Sequence, residues 1–284
     1  MTLPVVLALD IGGTKLAAAL VRDAVVVAKA VAPTPASEGP EAVAAAALAL
    51  VRKLLDQSAS RPACLALATA GLVSKGRVRA LSRDLMPGWD GFPLAARLEE
   101  AIGLPVRALN DAQAAAYGEA AHGAGKESGS VFFLTVSTGI GGGFVNDGAL
   151  LAGATGLAGH LGHTRGGVLE RVSSGTALAR RALELGYRQN AREVIESAKA
   201  GQDWAVRLVD DAAMALADVL LDVKFLLDPE LFVSGGSTGL NPYYLSALQS
   251  ALQLRDVPSP VRITPALLGA DAGLIGAAAW ARAH

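Results

Sequence analysis

The sequence predicts an α/β protein built from two similar domains, and three glycine turns carry that prediction. The first lies in Leu7-Ala-Leu-Asp-Ile-Gly-Gly-Thr-Lys-Leu-Ala-Ala-Ala-Leu20: an apolar run ending in Asp10, a Gly12-Gly13 turn, and a second apolar run from Leu16 to Val21. Short apolar runs bounded by turn glycines read as buried strands. The second, Val131-Phe-Phe-Leu-Thr-Val-Ser-Thr-Gly-Ile-Gly-Gly-Gly-Phe-Val145, repeats the plan nearly half a chain later. Self-similarity at that distance is most simply two related domains facing each other. The third, Phe232-Val-Ser-Gly-Gly-Ser-Thr-Gly239, again follows an apolar strand.

Glycine lets the backbone come close to a ligand, and turn N–H groups can point at an anion. Beside the first turn Thr14 adds a hydroxyl and Lys15 a cation, while Asp10 could hold a metal through water. Together these make a cradle for phosphate. Taken alone, an ordinary hairpin with a Gly-Gly turn explains the stretch equally well. The spacing is neither that of a Walker loop nor that of the Gly-x-Gly-x-x-Gly dinucleotide fingerprint. Two such hairpins facing one cleft suit a nucleoside triphosphate, with the third turn closing over the nucleoside.

Between these turns the elements follow in order. Val25 to Val31 reads as a third strand, and Pro33-Thr-Pro-Ala-Ser37 as a turn. A helix over Pro40–Gln57 has Pro and Glu in its first turn. Cys64 to Thr69 is a buried strand ending in Ala70-Gly71, where a plain strand-to-loop glycine suffices. Ser82 to Phe92 reads as a loop in which Trp89 either lines a pocket or packs against its own domain. Pro93 to Ile102 is an amphipathic helix stopped at Gly103. The strand Pro105–Leu109 delivers Asn110 and Asp111 at its end, where open α/β sheets place ligands and catalytic groups. Capping the following helix is the competing role for that pair. Helices are expected over Thr176–Leu185, Ala191–Ala200 and Asp203–Leu227, then a strand from Glu230 to Ser234, a helix from Tyr243 to Leu254 and a strand Val261–Pro265. The helix Asp271–Ala283 is expected to return to the first domain. The first lobe is then 1–112 with 270–284, and the second 113–269.

Bulk properties exclude several classes. A formal charge of −1 gives no electrostatic case for nucleic acid or an anionic membrane. Hydrophobic residues make up 52% of the chain, but the longest apolar run, Ala42 to Val51, is too short for a bilayer and is closed by Arg52-Lys53. No leader pattern precedes the first strand, expected from Leu3, so a cytoplasmic location is expected. Cys64 is the single cysteine, which rules out an intrachain disulfide.

The order Asp-Ile-Gly-Gly-Thr-Lys, Asn-Asp-Ala, Thr-Gly-Ile-Gly-Gly-Gly, Gly-His and a late Ser-Gly-Gly resembles the ROK family (repressors, open reading frames, kinases). The likeness runs over essentially the whole chain, including Ala-Gly-Leu-Ile-Gly-Ala-Ala-Ala at 272–279. It implies two actin-like, hexokinase-type (ribonuclease H-like) lobes around a nucleotide and sugar cleft, ATP and Mg²⁺ as cofactors, and a homodimer through the helical region 174–225. Within the family, Asn110–Ala116, Thr135–Thr138 and Leu157–Thr164 are most similar to bacterial N-acetylmannosamine kinases. The resemblance makes Asp111 the general base toward a sugar hydroxyl. It places Gly71, Asn110, Asp111, His160, His163 and Glu170 at the sugar. To the nucleotide it assigns Asp10, Gly12, Gly13, Thr14, Lys15, Thr138, Gly139, Gly141, Gly142, Gly143, Gly235 and Gly236.

Two departures from the family pattern are informative. Many ROK kinases carry Gly-Glu-x-Gly-His, whereas this chain has Gly159-His160-Leu161-Gly162-His163, which argues against a plain glucokinase. The family's zinc cysteines are missing, so a four-coordinate zinc site cannot form and His163 is released from metal duty. The alternatives are a glucokinase or another ROK hexose kinase, or a non-catalytic sugar-binding regulator. A DNA-binding ROK repressor would need a helix-turn-helix ahead of the first strand.

Overall fold

A computed structural model describes residues 4–58, 61–81 and 87–284. The expected strand start at Leu3 and the part of the Ser82–Phe92 loop up to residue 86 lie outside the described residues. The chain begins with β1 (Val6–Ile11), β2 (Lys15–Arg22) and β3 (Val25–Pro33), then α1 (Pro40–Gln57) and β4 (Leu65–Thr69). Next come β5 (Leu72–Ser74), β6 (Arg77–Arg79), β7 (Asp90–Phe92), α2 (Leu94–Ile102), β8 (Val106–Asn110) and α3 (Asp111–His122). The second half opens with β9 (Ser130–Val136), β10 (Ile140–Asn146) and β11 (Ala149–Leu150). Four helices follow, α4 (Thr164–Ser173), α5 (Gly175–Glu184), α6 (Ala191–Lys199) and α7 (Asp203–Leu227). The chain then runs through β12 (Leu231–Gly235), α8 (Pro242–Gln253), β13 (Ile263–Pro265) and α9 (Ala272–Ala283).

The repeat read from the glycine turns is a repeat of topology. One sheet has the order β3-β2-β1-β4-β8 and the other β11-β10-β9-β12-β13. In each, an antiparallel meander of three strands is extended by two parallel strands on the far side of its first strand. The result is an α/β fold of two actin-like lobes. A third, small sheet of β5, β6 and β7 was not foreseen, because three-residue strands are too short for a period to show.

Alternation along each central strand decides what covers each face. In β1, Leu7, Leu9 and Ile11 join Val43, Ala47, Val51 and Leu54 of α1 in one core. Val6 and Ala8 face the other way, with Ala17, Ala19, Ala66 and Ala68, and are covered by Leu274, Ile275, Ala278 and Ala281 of α9. In the second sheet, Phe132, Leu134 and Val136 face the α4–α8 bundle. Val131, Phe133, Val145 and Val233 face Ala115 and Ala116 of α3. Each sheet is therefore closed by a helix that follows the last strand of the other one. The alanine-rich faces set how closely these helices approach.

The two exchanged helices cross at glycine. A side chain on Gly276 would put its first carbon 1.8 Å from the Ala114 carbonyl oxygen, and one on Gly118 would stand 2.8 Å from the Ala272 carbonyl. Near this crossing the buried Glu119 accepts hydrogen bonds from the backbone N–H groups of Ala124, Leu267 and Leu268. A buried carboxylate held by three N–H groups is satisfied without a cation.

Trp89 belongs to the first lobe's core. It is 3% exposed and meets Phe92 edge-on with ring centroids 5.6 Å apart, so it packs against its own domain, and it also forms part of the wall of a small pocket beside Gly12 and Gly13. Part of the expected 82–92 loop is strand β7. Cys64 is buried at the foot of β4, immediately before the strand. No described helix is long and apolar enough to cross a membrane.

Candidate active site

The first glycine turn joins β1 to β2 and is closed by a bond from the Gly12 N–H to the Lys15 carbonyl at 3.0 Å. That N–H is used by the turn itself. Thr34 pins the turn from the side, its hydroxyl donating to the Gly12 carbonyl at 2.7 Å and its N–H to the Thr14 carbonyl at 3.1 Å. Nothing lies within 4 Å of where a Gly13 side chain would begin, and Gly13 does not have a positive φ. No neighbour requires glycine at 13, and this side of the turn is open. Gly13, Thr14 and Lys15 are exposed.

Asp10 follows Val6 and Ala8 on the face covered by α9, and its Oδ2 lies 3.0 Å from where a Gly273 side chain would begin. Burial raises its carboxyl pKa from 3.8 to about 7, with Asp111 adding to the rise and Lys15 and Lys29 opposing it. Lys29 is itself ion-paired with Asp271 at the start of α9.

Asn110 and Asp111 sit where β8 becomes α3. The Asn110 Oδ1 accepts from the N–H groups of Ala112 and Gln113 at 3.0 and 3.2 Å, so Asn110 caps the helix. Its amide nitrogen donates to the Gly71 carbonyl at 3.0 Å and to Asp111 Oδ1 at 2.8 Å. Both ends of the amide are occupied within the protein, so capping and positioning of Asp111 fall to one side chain. The same Asp111 oxygen accepts from the Ala112 N–H at 2.8 Å. Oδ1 is thus fixed while Oδ2 accepts no hydrogen bond from a described residue. Burial raises the pKa of this carboxyl, against the lowering effect of the Ala112 N–H, His160 and Asn110.

The 152–163 segment brings His160 to this carboxyl. Its Nδ1 bonds the Leu157 carbonyl at 3.2 Å, and Nε2 is buried with no hydrogen-bond partner among the described residues. Burial lowers its pKa, against the raising effect of the Leu157 and Gly71 carbonyls. His163 is exposed and stands edge-on to His160 with ring centroids 6.4 Å apart. Glu170 supports the second glycine turn from below. Its Oε2 accepts from the Ile140 N–H at 3.0 Å and lies where side chains on Gly139 and Gly162 would have to go, at 2.9 and 2.6 Å.

The remaining glycines divide by role. Thr138, which is exposed, and Gly139 lie in the β9–β10 turn. Gly141 and Gly143 lie inside β10, where side chains would begin 2.9 and 2.6 Å from the Cβ atoms of Ala112 and Ala116. Gly142, between them, is crowded by the Phe133 carbonyl at 2.8 Å. Packing of β10 against α3 and its neighbours therefore requires these three glycines. Gly235 fits against the Phe133 ring at 2.6 Å, and Gly236, at φ 81°, sets the third turn over the Val136 carbonyl. That turn, β9 and the start of α5 meet where Gly175 N–H donates to the Ser137 carbonyl at 2.7 Å.

Two contributors were not singled out from sequence. Thr34 stands between two prolines, a position read only as a turn. Gln113 is a polar residue in an alanine run, buried to 2% and donating from its amide nitrogen to the carbonyls of Gly156 and Ala158.

The ROK family pattern matches residues 6–284. The chain belongs to the ROK family. An N-acetylmannosamine kinase of Citrobacter koseri is 41% identical over 97% of this chain and 98% of its own length. Among solved structures, a ROK hexokinase from Thermus thermophilus superposes with a TM-score of 0.83 at 36% identity, covering 96% of both chains. A ROK family glucokinase from Streptomyces griseus, in complex with glucose and AMPPNP, gives 0.81 at 28% identity, over 99% of this chain and 100% of the other. Among the described residues of this ROK protein no three His, Cys, Asp or Glu side chains are gathered to hold a metal.

Proposed function

We propose that this ROK protein is an ATP-dependent sugar kinase that converts N-acetyl-D-mannosamine to its 6-phosphate. The observation that carries the chemistry is the Asp111 carboxyl, one oxygen fixed by two donors and the other accepting no hydrogen bond from a described residue, where β8 becomes α3. A sugar hydroxyl is a weak nucleophile at neutral pH, and an aspartate accepting its proton assists attack on the γ-phosphorus of ATP. In this reading Asp111 Oδ2 takes the proton, the hydroxyl oxygen bonds to the γ-phosphorus, and ADP departs. The identity to the Citrobacter enzyme supports the choice of sugar, as does His160 in place of the usual glutamate.

Gly13, Thr14, Lys15, Thr138 and Gly139 are assigned to the phosphates, and Gly235 and Gly236 to the adenosine. Gly71, Asn110, His160, His163 and Glu170 are assigned to the sugar, Asn110 and Glu170 acting largely through the groups they hold. Asp10 fits a magnesium ion: it is a carboxylate that accepts no hydrogen bond from a described residue, close enough to Asp111 for each to raise the energy of the other's charge. When bound there, the ion would neutralise charge on the phosphoryl oxygens. The lobes are assigned as 1–112 with 270–284, and 113–269.

A coupled ADP-release assay with N-acetylmannosamine, N-acetylglucosamine, glucose and mannose tests this reading. The expected result is a preference for N-acetylmannosamine in kcat/KM. A preference for glucose keeps the kinase and removes the acetamido assignment, and silence on every sugar removes the kinase. A cytoplasmic homodimer completes the proposal, supported by Met214, Phe225 and Leu226, which α7 leaves exposed. Sedimentation at micromolar concentration is expected to give twice the chain mass.

A further inference from the structure

The segment from Gly153 to His163 has little structure of its own. It contains three glycines at positive φ, Gly153, Gly156 and Gly159, and no strand. Its internal backbone bonds are few, His160 to Leu157, Leu161 to Gly159 and His163 to His160, with Ala158 bonded to Ala152 just ahead of it. Something else must hold His160 beside Asp111.

We infer that Gln113 is the positioning residue that does so, tying the sugar-facing loop to the helix that begins with Asp111. Its amide nitrogen spans two carbonyls, Gly156 at 3.2 Å and Ala158 at 2.8 Å, on either side of Leu157. The Leu157 carbonyl in turn takes the His160 Nδ1. The same ring interacts with the Gly71 carbonyl, and its buried Nε2 makes no hydrogen bond to a described residue. At its other end the Gln113 backbone N–H completes the Asn110 cap, and the Asn110 amide nitrogen holds Asp111 Oδ1. One residue thus links the support of the base to the support of the imidazole.

The surroundings leave this amide little alternative. Gly143 allows Gln113 to sit against β10, where a side chain would begin 3.1 Å from the Gln113 Cα. On the far side, Gly156 is buried against the Val73 carbonyl of β5, with room for no side chain. Gly159 sits equally tightly on the Gly142 carbonyl. The loop is held at three places, and Gln113 is the only side chain among the described residues that bonds two of its carbonyls. Two acceptor carbonyls also fix which end of the amide is nitrogen.

The test compares Gln113→Met, which keeps length and helix preference but has no donor, with Gln113→Asn, which keeps an amide on a shorter stem. The first readout is amide hydrogen exchange in the ligand-free protein, independent of the kinase reading. Gln113→Met is expected to speed exchange in 153–163 about tenfold while β9 and β10 stay protected. The second readout rests on the proposed kinase activity. The KM for the sugar is expected to rise about tenfold or more, with the KM for ATP within about threefold, and Gln113→Asn is expected to recover part of the loss. Unchanged exchange in 153–163, acceleration spread equally over β9 and β10, or an unchanged sugar KM would each overturn the inference. Should Gln113→Met fail to fold, Gln113→Asn is read by the same two measurements, with smaller shifts in the same direction expected. A wild type inactive on every hexose removes the kinase reading, and the exchange result still decides the role of Gln113.

Discussion

Asp111→Asn is expected to lower kcat by about 10²–10⁴, the range that a positioned acid–base group contributes, while the thermal midpoint and ATP affinity stay near wild type. The substitution is nearly isosteric. The Ala112 N–H and the Asn110 amide both reach Oδ1, and an asparagine oxygen accepts from both in the same place. Only the basicity is removed. Near-normal turnover would eliminate Asp111 as the base. The pH profile gives a second check. Burial raises this carboxyl above the ordinary 3.8, so in the wild type the acid limb of kcat/KM is expected at a higher pH than a solvent-exposed aspartate would give. Activity should rise with pH through that limb, as the carboxylate forms, and the limb should vanish in the variant.

Asp10→Asn is expected to move activity and stability in opposite directions. With its folded pKa near 7 against 3.8 unfolded, the folded protein binds a proton that the unfolded chain releases between those values. Stability of the ligand-free protein therefore falls as pH rises from about 4 to 7. An asparagine carries no charge to bury. The variant should melt higher than wild type at pH 8, by roughly 5 °C, and the difference should close near pH 4. Magnesium alone should raise the midpoint of the wild type at pH 8 and leave that of the variant unmoved, while kcat/KM for ATP falls about 100-fold. A variant that melts lower than wild type at pH 8 would show that the Asp10 charge is favourably placed in the free protein.

The parts of this molecule that were legible in the sequence are those where one physical preference acts alone. Buried strands of both sheets show as apolar runs beside glycine, and α1 runs over Pro40–Gln57 as its first-turn proline and glutamate indicate. Helix α4 was missed, because Arg165, Gly166 and Gly167 at its start are left-handed and carry no helical pattern. The glycines show the deeper limit. Gly13 and Gly143 look alike in a motif, yet one stands beside open space and the other is pressed against Ala116 of α3. Only the three-dimensional partner separates a glycine beside open space from one that packing requires. Asn110 likewise was legible as a cap or as a site residue, and the structure shows that it caps the helix while holding Asp111.

The exchange of helices between sheets bears on how such a chain is made. During synthesis β1, β2 and β4 leave the ribosome early with one apolar face ready for α1, but the helix that covers Val6, Ala8 and Ala66 emerges only after residue 272 is translated. Until then that alanine-lined face is wet, and Asp10 has no wall behind it. The first lobe cannot mature ahead of the second in vectorial fashion. A ribosome stalled before residue 272 therefore holds two unfinished halves, and both protease sensitivity and chaperone demand should persist until α9 is released.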